Sequence, residues 1–310
     1  MDLSNISPIA LIASLMIAAT PILIAAIGEL VVEKSGVLNL GVEGMMIIGA
    51  ITGFIAAVET GSPWIGFIAG MAGGAAIALI FGVLTQFLLT NQVATGLALT
   101  LFGLGMASLI GHSYAGIKPP RFTKLDIAGL SDLPVVGKLL FSHDPMIYIS
   151  LLIIAAVWFF LKRTRQGLIL RAIGENHDAA HALGYKVIRI RLIAIAFGGA
   201  MAGLGGSYLS LVRVPQWTEG MTAGAGWIAL AIVVFSAWKP WRVILGAYLF
   251  GGITVLQLNL QAAGATIPVA YLSMAPYVVT IIVLVIMSAD SKRASLNAPA
   301  CLGRIFHASN

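Results

Sequence analysis

The feature that most limits how this chain can fold is a series of unbroken apolar runs, each about 16 to 26 residues long, separated by short polar joints. A helix crosses hydrocarbon with roughly 20 apolar residues, whereas a membrane strand needs about 10 in strict alternation. In lipid every backbone polar group must be satisfied within the fold, which leaves helical bundles or closed barrels. Unbroken runs favour the bundle. Composition agrees: 59% of residues are hydrophobic and only 10% are charged, against roughly 25% charged in soluble domains. The expected fold is all-α, a polytopic transmembrane helical bundle. The 35 glycines suit close helix packing where lipid supplies no hydrophobic drive. The single cysteine, Cys301, excludes an intrachain disulfide framework and a four-cysteine metal site. The start, MDLSNIS, has no basic residue ahead of the first run, unlike a cleaved signal peptide.

Nine spans are expected, at 9–28, 37–58, 64–89, 93–112, 146–161, 189–213, 225–239, 243–263 and 274–288, within one transmembrane domain covering 1–310. Two polar loops exceed turn length. The first, 113–145, mixes Lys118, Arg121, Lys124 and Lys138 with Asp126, Asp132 and Asp144. The second, 162–191, sets Lys162, Arg163, Arg165, Arg171, Lys186, Arg189 and Arg191 against only Glu175 and Asp178. The positive-inside rule makes 162–191 cytoplasmic and 113–145 an outer loop. Counting spans from there places Lys34, Lys239, Arg242 and the tail 289–310 on the same inner side, with the N-terminus outside. The net charge of +6 therefore sets orientation, and no nucleic-acid partner is implied.

An internal echo suggests an inverted repeat. "GVLNLGVEGMMIIGA" from Gly36 and "GAGWIALAIVVFSAW" from Gly224 each open a span, and each is followed by a Pro-Trp pair, Pro63-Trp64 and Pro240-Trp241. The topology runs the two spans in opposite directions, the arrangement that places a substrate path at a repeat interface in transporters. Chance likeness between two glycine-rich apolar helices is the alternative.

Within the basic loop, "GENHDAAHALG" (174–184) predicts a short helix over 177–183. Asn176 suits the N-cap, Asp178 complements the helix dipole from the first turn, and Gly184 suits the C-terminal stop. Two turns are too short to be stable alone in water, so the helix must lean on something. Ala179 and Ala182 form a small-residue face for a partner's groove, with Asp178 and His181 beside it. A plain capped loop helix is the competing explanation.

The stretch "RTRQGLILRAIGENHDAAHALGYKVIRIRLIAIAFGGAMAGLGG" resembles the coupling region of ATP-binding-cassette importer permeases, in the branch that handles simple sugars and nucleosides. Asp178-Ala179-Ala180-x-x-x-Gly184 is similar to the importers' E-A-A-x-x-x-G loop, with Asp in place of Glu and His177 where proline is usual. "EKSGVLNLGVEGMMIIGA" and "MTAGAGWIALAIVVFSAWKPW" resemble two further blocks of the nucleoside-type members, in the family's order. The resemblance implies a permease subunit at the cytoplasmic membrane. It implies a second permease subunit, often non-identical, a cytoplasmic ATP-binding subunit and an external substrate-binding protein. Gly174, Glu175, Asn176, Asp178, Ala179, Ala180 and Gly184 are then the ATPase-coupling candidates. The chain carries no G-x-x-x-x-G-K-[ST] loop, so hydrolysis belongs to another chain and no cofactor is expected here.

Candidate transport-path residues are Asn39, Glu43, Asn91, Gln92, Gln257, Asn259 and Gln261. Asn39 and Glu43 are expected to share a face of a helix that begins at Val37, with Glu43 about 9 Å inside it. A carboxylate at that depth faces protein or water and marks either function or a helix-locking hydrogen bond. Glu43 is the one such group inside the expected spans. The amides suit a neutral hydroxylated substrate, although each also serves ordinary interhelical bonding. His177 and His181 lack a third ligand, so no metal site is expected, and no nucleophile–base set points to an enzyme. An ion-gradient-driven secondary transporter is the alternative that an inverted repeat and Glu43 would serve.

Overall fold

A computed structural model describes residues 8–125, 141–262 and 297–307, with isolated positions between 271 and 285. All regular structure among the described residues is helical. The helices are α1 (Pro8–Lys34), α2 (Val42–Thr60), α3 (Pro63–Gln86), α4 (Gln92–Gly111), α5 (Pro145–Arg163), α6 (Arg165–Glu175), α7 (His177–Ala182), α8 (Val187–Tyr208), α9 (Ala225–Phe235) and α10 (Pro240–Ala262). A π-helical turn, Leu209–Arg213, extends α8. Seven of these helical stretches are long and apolar enough to cross a membrane. The expected span at 274–288 lies mostly outside the described residues.

Helix α1 is the axis of the bundle. Every residue from Ala18 to Glu33 is buried, as befits a helix that is apolar all round. It touches α8, α10, α9, α5 and α6. Beside it, α2, α3 and α8 meet through glycines. A Cβ on Gly49 would collide with Gly203, one on Gly74 with the Gly199 carbonyl, and one on Gly206 with the Met46 carbonyl. Hydrocarbon gives helices no hydrophobic reason to associate, so these close backbone approaches supply dispersion contacts in its place.

Two expected spans are corrected. The one at 37–58 becomes helical only at Val42, and the one at 225–239 is helical only over Ala225–Phe235. Eleven residues rise about 16 Å, half a bilayer. Helix α2 still has 19 residues, enough to cross, whereas α9 does not, and each is preceded by an irregular segment lying along α4. From the end of α4 near Gln92, residues 38–44 climb it: Leu38 N–H donates to Gln92 Oε1 (2.8 Å), Thr100 Oγ1 donates to the Leu40 carbonyl (3.1 Å), and Gly44 abuts Gly103. From the opposite end, residues 217–222 descend it: Trp217 covers Gly111, and Glu219 accepts from Ser108 (2.5 Å). The two segments meet halfway. From that point α2 runs away from the basic end marked by Lys34 and Arg163, and α9 runs toward it, where Trp238 donates to Glu33. The opposed directions expected of the two glycine-rich blocks are therefore present. Pro63 and Pro240 each open the following helix, where their missing N–H costs nothing.

Candidate functional site

Two places in the bundle bring candidate residues together: the meeting point of α2 and α9, and the basic end around α7.

At the meeting point Glu43 is buried in the first turn of α2. Its Oε1 accepts from Thr222 Oγ1 (2.6 Å) and the Gly224 amide (2.9 Å), and its Oε2 accepts from the Gly226 amide (2.7 Å). The carboxylate thus caps the start of α9 while sitting at the start of α2, and two helix dipoles favour its charge. Gly224 holds a left-handed conformation (φ +83°) that turns the chain into α9, and a Cβ on Gly226 would strike the Glu43 backbone. Asn39 lies ahead of the helix and not on it. Its Oδ1 accepts from Gly41 N–H (2.9 Å), so the expected shared helix face with Glu43 does not exist. A polar residue just before a helix favours a local backbone bond over continued helix, which is why the first turn starts late.

Thr222 also forms part of the wall of a 550 Å³ cavity between α1, the π-turn, α9 and α10. Its polar lining includes Ser14, Arg213, Thr222, Thr254, Gln257 and Asn259. Gln257 and Asn259 are thereby brought to one cavity, with Asn259 also donating to the Val255 carbonyl (2.8 Å). Gln261, one turn further along α10, is half-buried and outside that lining. Asn91 and Gln92 lie elsewhere. Asn91 caps α4 by accepting from the Ala94 amide (3.0 Å), and Gln92 holds the irregular segment at Leu38. Two intramembrane carboxyls were hidden by placing the end of the first span at 28. Helix α1 continues to Lys34, and both Glu29 and Glu33 are buried on it.

At the basic end, α7 spans His177–Ala182 as its caps foretell. Asn176 Oδ1 accepts from the Ala179 amide (2.9 Å). Gly184, at φ +86°, donates to the His181 carbonyl (2.8 Å), and Tyr185 donates to that of Ala180 (3.2 Å). These paired bonds close the helix end with a glycine in the left-handed region. The candidate residues divide by face. Gly174 and Ala180 are buried, while Glu175, Asn176, Asp178, Ala179 and Gly184 are exposed. Leu183 is 77% exposed beside them, and a 430 Å³ groove lined by Phe87, His181, Tyr185 and Phe306 flanks the helix.

What α7 leans on was not foreseen. Arg191 of α8 is wholly buried, and its guanidinium donates to the Ser35 carbonyl (3.1 Å) and to the Arg304 carbonyl (3.5 Å). Its third contact is with His177 Nδ1 (3.1 Å), which accepts when the ring is neutral. The tail 297–307 closes over this point: Cys301 N–H donates to the Gly174 carbonyl (2.9 Å), Gly303 N–H to that of Gly36 (3.1 Å), and Lys34 Nζ to that of Asn297 (2.8 Å). Phe306 presents its ring to both His177 and His181 at 5.2 and 5.4 Å. Burial and the neighbouring Arg191 hold the His177 imidazole below its ordinary pKa. One signal was available in the sequence. Arg189 and Arg191 are two apart, hence on opposite sides of a helix, and only one of them can face water. No group of three metal-ligating side chains occurs among the described residues.

Residues 11–287 match the family described as branched-chain amino acid transport system / permease component. The chain is 43% identical to the putative glucose ABC transporter permease protein TsgC13 of Haloferax volcanii, over 79% of this chain and 76% of the relative. It is 35% identical to the guanosine ABC transporter permease protein NupQ of Bacillus subtilis, over 95% and 97%. It is 31% identical to the nucleoside ABC transporter permease protein NupC of Lactococcus lactis, over 88% and 90%. A bundle of membrane-length helices, with α2 and α9 meeting in its middle and a capped helix held out at its basic end, belongs to the branched-chain amino acid transport permease family, and the chain is a multi-pass membrane transport subunit of that family.

Proposed function

We propose that the chain is the membrane-spanning subunit of an ATP-driven importer that carries nucleosides or related simple sugars inward. The carrying observation is α7: a two-turn helix, capped at both ends, exposes Asp178, Ala179, Ala182 and Leu183 while its other face is bolted to the bundle through His177 and Arg191. A helix so presented transmits force in both directions. The basic residues around it orient this end toward the cytoplasm, where a nucleotide-hydrolysing subunit docks. A second permease, non-identical as in the paired relatives NupQ and NupP of one organism, completes the pore. An external binding protein delivers the cargo to the opposite face.

The substrate class rests on the names of the relatives and on the cavity above Glu43, where hydroxyls, amides and a guanidinium can donate and accept, with no carboxylate among the described lining residues. Glu43 acts through Thr222, setting one wall of that cavity. Purification in mild detergent tests the assembly. An ATPase subunit accompanies the wild-type chain, and Asp178→Arg releases it. Full uptake by the chain with no ATPase present contradicts the proposal. Competition among guanosine, other nucleosides and glucose for uptake then ranks the substrates.

A further inference from the structure

Away from the cavity and from α7, a second concavity opens between α1, α5, α6 and α8. It has a volume of 370 Å³, and all ten residues lining it are apolar, among them Val31, Phe160, Leu170, Ile193 and Met201. That volume lies within the range of about 300–1,000 Å³ common to ligand sites. Along α8 it reaches from Ile193 to Met201, a rise of about 12 Å, close to the roughly 15 Å of hydrocarbon in one leaflet. Ile193 is 61% exposed, so the cleft is open to its surroundings.

Its walls share a second property. On α5 the lining stripe Ile153, Ala156, Val157 and Phe160 continues, three residues on, to exposed Arg163. On α8 the stripe Ile193, Phe197 and Met201 continues, four residues back, to exposed Arg189. On α6, Leu170 is followed by Arg171, whose Nε is buried and has no hydrogen-bond partner among the described residues. On α1, Val31 is one turn short of Lys34, whose ammonium is already engaged with the Asn297 carbonyl. Each apolar wall therefore has a basic residue at or beside its end toward the basic end of the bundle, and no carboxylate forms an ion pair with these arginines among the described residues.

We propose that this cleft is a binding site for an anionic phospholipid of the leaflet at the basic end. One acyl chain fills the apolar cleft and the phosphate is held by Arg163, Arg171 and Arg189. Guanidinium groups take phosphate oxygens in pairs, and basic pockets between helices on this side of a membrane select acidic headgroups. The bound lipid fills the space that joins α5 and α6 to α1, which stiffens the arm carrying α7. The site is independent of which cargo the permease moves.

The test uses the full chain with whatever subunits accompany it, supplied with phosphatidylglycerol or phosphatidylcholine of the same acyl chains and washed stepwise in detergent before native mass spectrometry. Phosphatidylglycerol is retained over phosphatidylcholine by about tenfold or more. Replacing all three arginines with glutamine brings the ratio to within about twofold, and replacing them with lysine keeps most of it. Ala156→Phe, which fills the cleft without touching the mouth, removes the tightly held lipid of either kind. Equal retention of the two lipids by the wild-type chain overturns the proposal, as does undiminished retention in Ala156→Phe. So does a disulfide formed efficiently between Ile193→Cys and a cysteine of another subunit, which would make the cleft a protein interface.

Discussion

Glu43 and Arg191 are both buried charges, and among the described residues neither has an oppositely charged partner. The anion is satisfied by one hydroxyl and two amides at the start of α9, the cation by two carbonyls and an imidazole. Neither is a salt bridge, so each charge is stabilised by backbone dipoles that cannot reorganise cheaply. They differ in what they join. Glu43 ties the start of α2 to the start of α9, within the bundle. Arg191 ties three chain segments at the basic end: α7, the tail, and the turn after α1. The first contact joins two helices in the middle of the bundle, the second joins the bundle to α7, the helix proposed to meet the ATPase. Damage at Glu43 should therefore appear as lost transport and lost stability together, whereas damage at Arg191 should separate the two activities.

The largest effect expected is for Glu43→Ala. It strands the Thr222 hydroxyl and the Gly224 and Gly226 amides, each costing about 1–3 kcal/mol when buried without a partner. A loss of at least about 3 kcal/mol is expected, read as a fall in the thermal midpoint of the detergent-solubilised complex. Glu43→Gln keeps one acceptor and turns an amide NH2 toward a helix N-terminus, so assembly should survive while uptake falls. Intact uptake in a complex that falls apart would reduce Glu43 to a fastener alone.

Arg191→Met comes next, at about 2–3 kcal/mol, because Ser35, Arg304 and His177 lose a common donor while the apolar stem is retained. The comparison is sharpened by measuring two rates. Nucleotide hydrolysis should continue while uptake per ATP falls, and limited proteolysis should cut the 297–307 tail sooner. If both rates fall in parallel, Arg191 is a packing residue and the contrast with Glu43 fails.

How much of this was readable beforehand follows from what each residue answers to. The bundle was legible because the cost of bringing bare backbone into lipid leaves long apolar runs no other fold. The caps of α7 were legible because Asn176 and Gly184 act within a few residues of themselves. Broken spans were not, because a glycine-rich apolar stretch reads the same whether it is helical or extended, and only contacts along α4 decide it. Glu29 was mistaken for a span end because a carboxylate signals water, yet here the surrounding helices bury it. The tail failed for a similar reason: Cys301, Gly303 and Phe306 find their partners far away in sequence, at Gly174, Gly36 and His177. The site at Glu43 was half legible. Its charge and depth stood out, but its partners at 222–226 lie almost two hundred residues away.

A smaller effect concerns pH. His177 accepts from Arg191 only when neutral, and burial first, then Arg191 and Arg304, lower its pKa, with Asp178 pulling the other way. His181 also faces Phe306, and Tyr185, Lys186 and Arg189 line the same groove. A His with a lowered folded pKa favours the folded state above its ordinary value and loses that contribution as pH falls from about 6.5 through the folded pKa. Protection of the 177–183 amides, taken relative to the intrinsic exchange rate at each pH, should therefore fall on acidification from pH 8 to 5.5, and protection near Gly226 should not. His177→Asn should flatten the difference. Equal loss of protection at both places would erase the distinction between the two charges.

The smallest effect argued is for Asn176→Ala. The side chain supplies one bond to the Ala179 amide, and loss of an N-cap typically costs about 1 kcal/mol. In a helix of two turns that is enough to shift the balance toward fraying, because nucleation is unfavourable and few bonds remain to offset it. Global stability should hardly change, since Ala180 and His177 still pin the buried face. Exchange of the α7 amides should rise about fivefold, and ATPase docking should weaken by a similar factor. A thermal midpoint that drops as far as that of Glu43→Ala would mean α7 is part of the cooperative core and not a helix held at its edge.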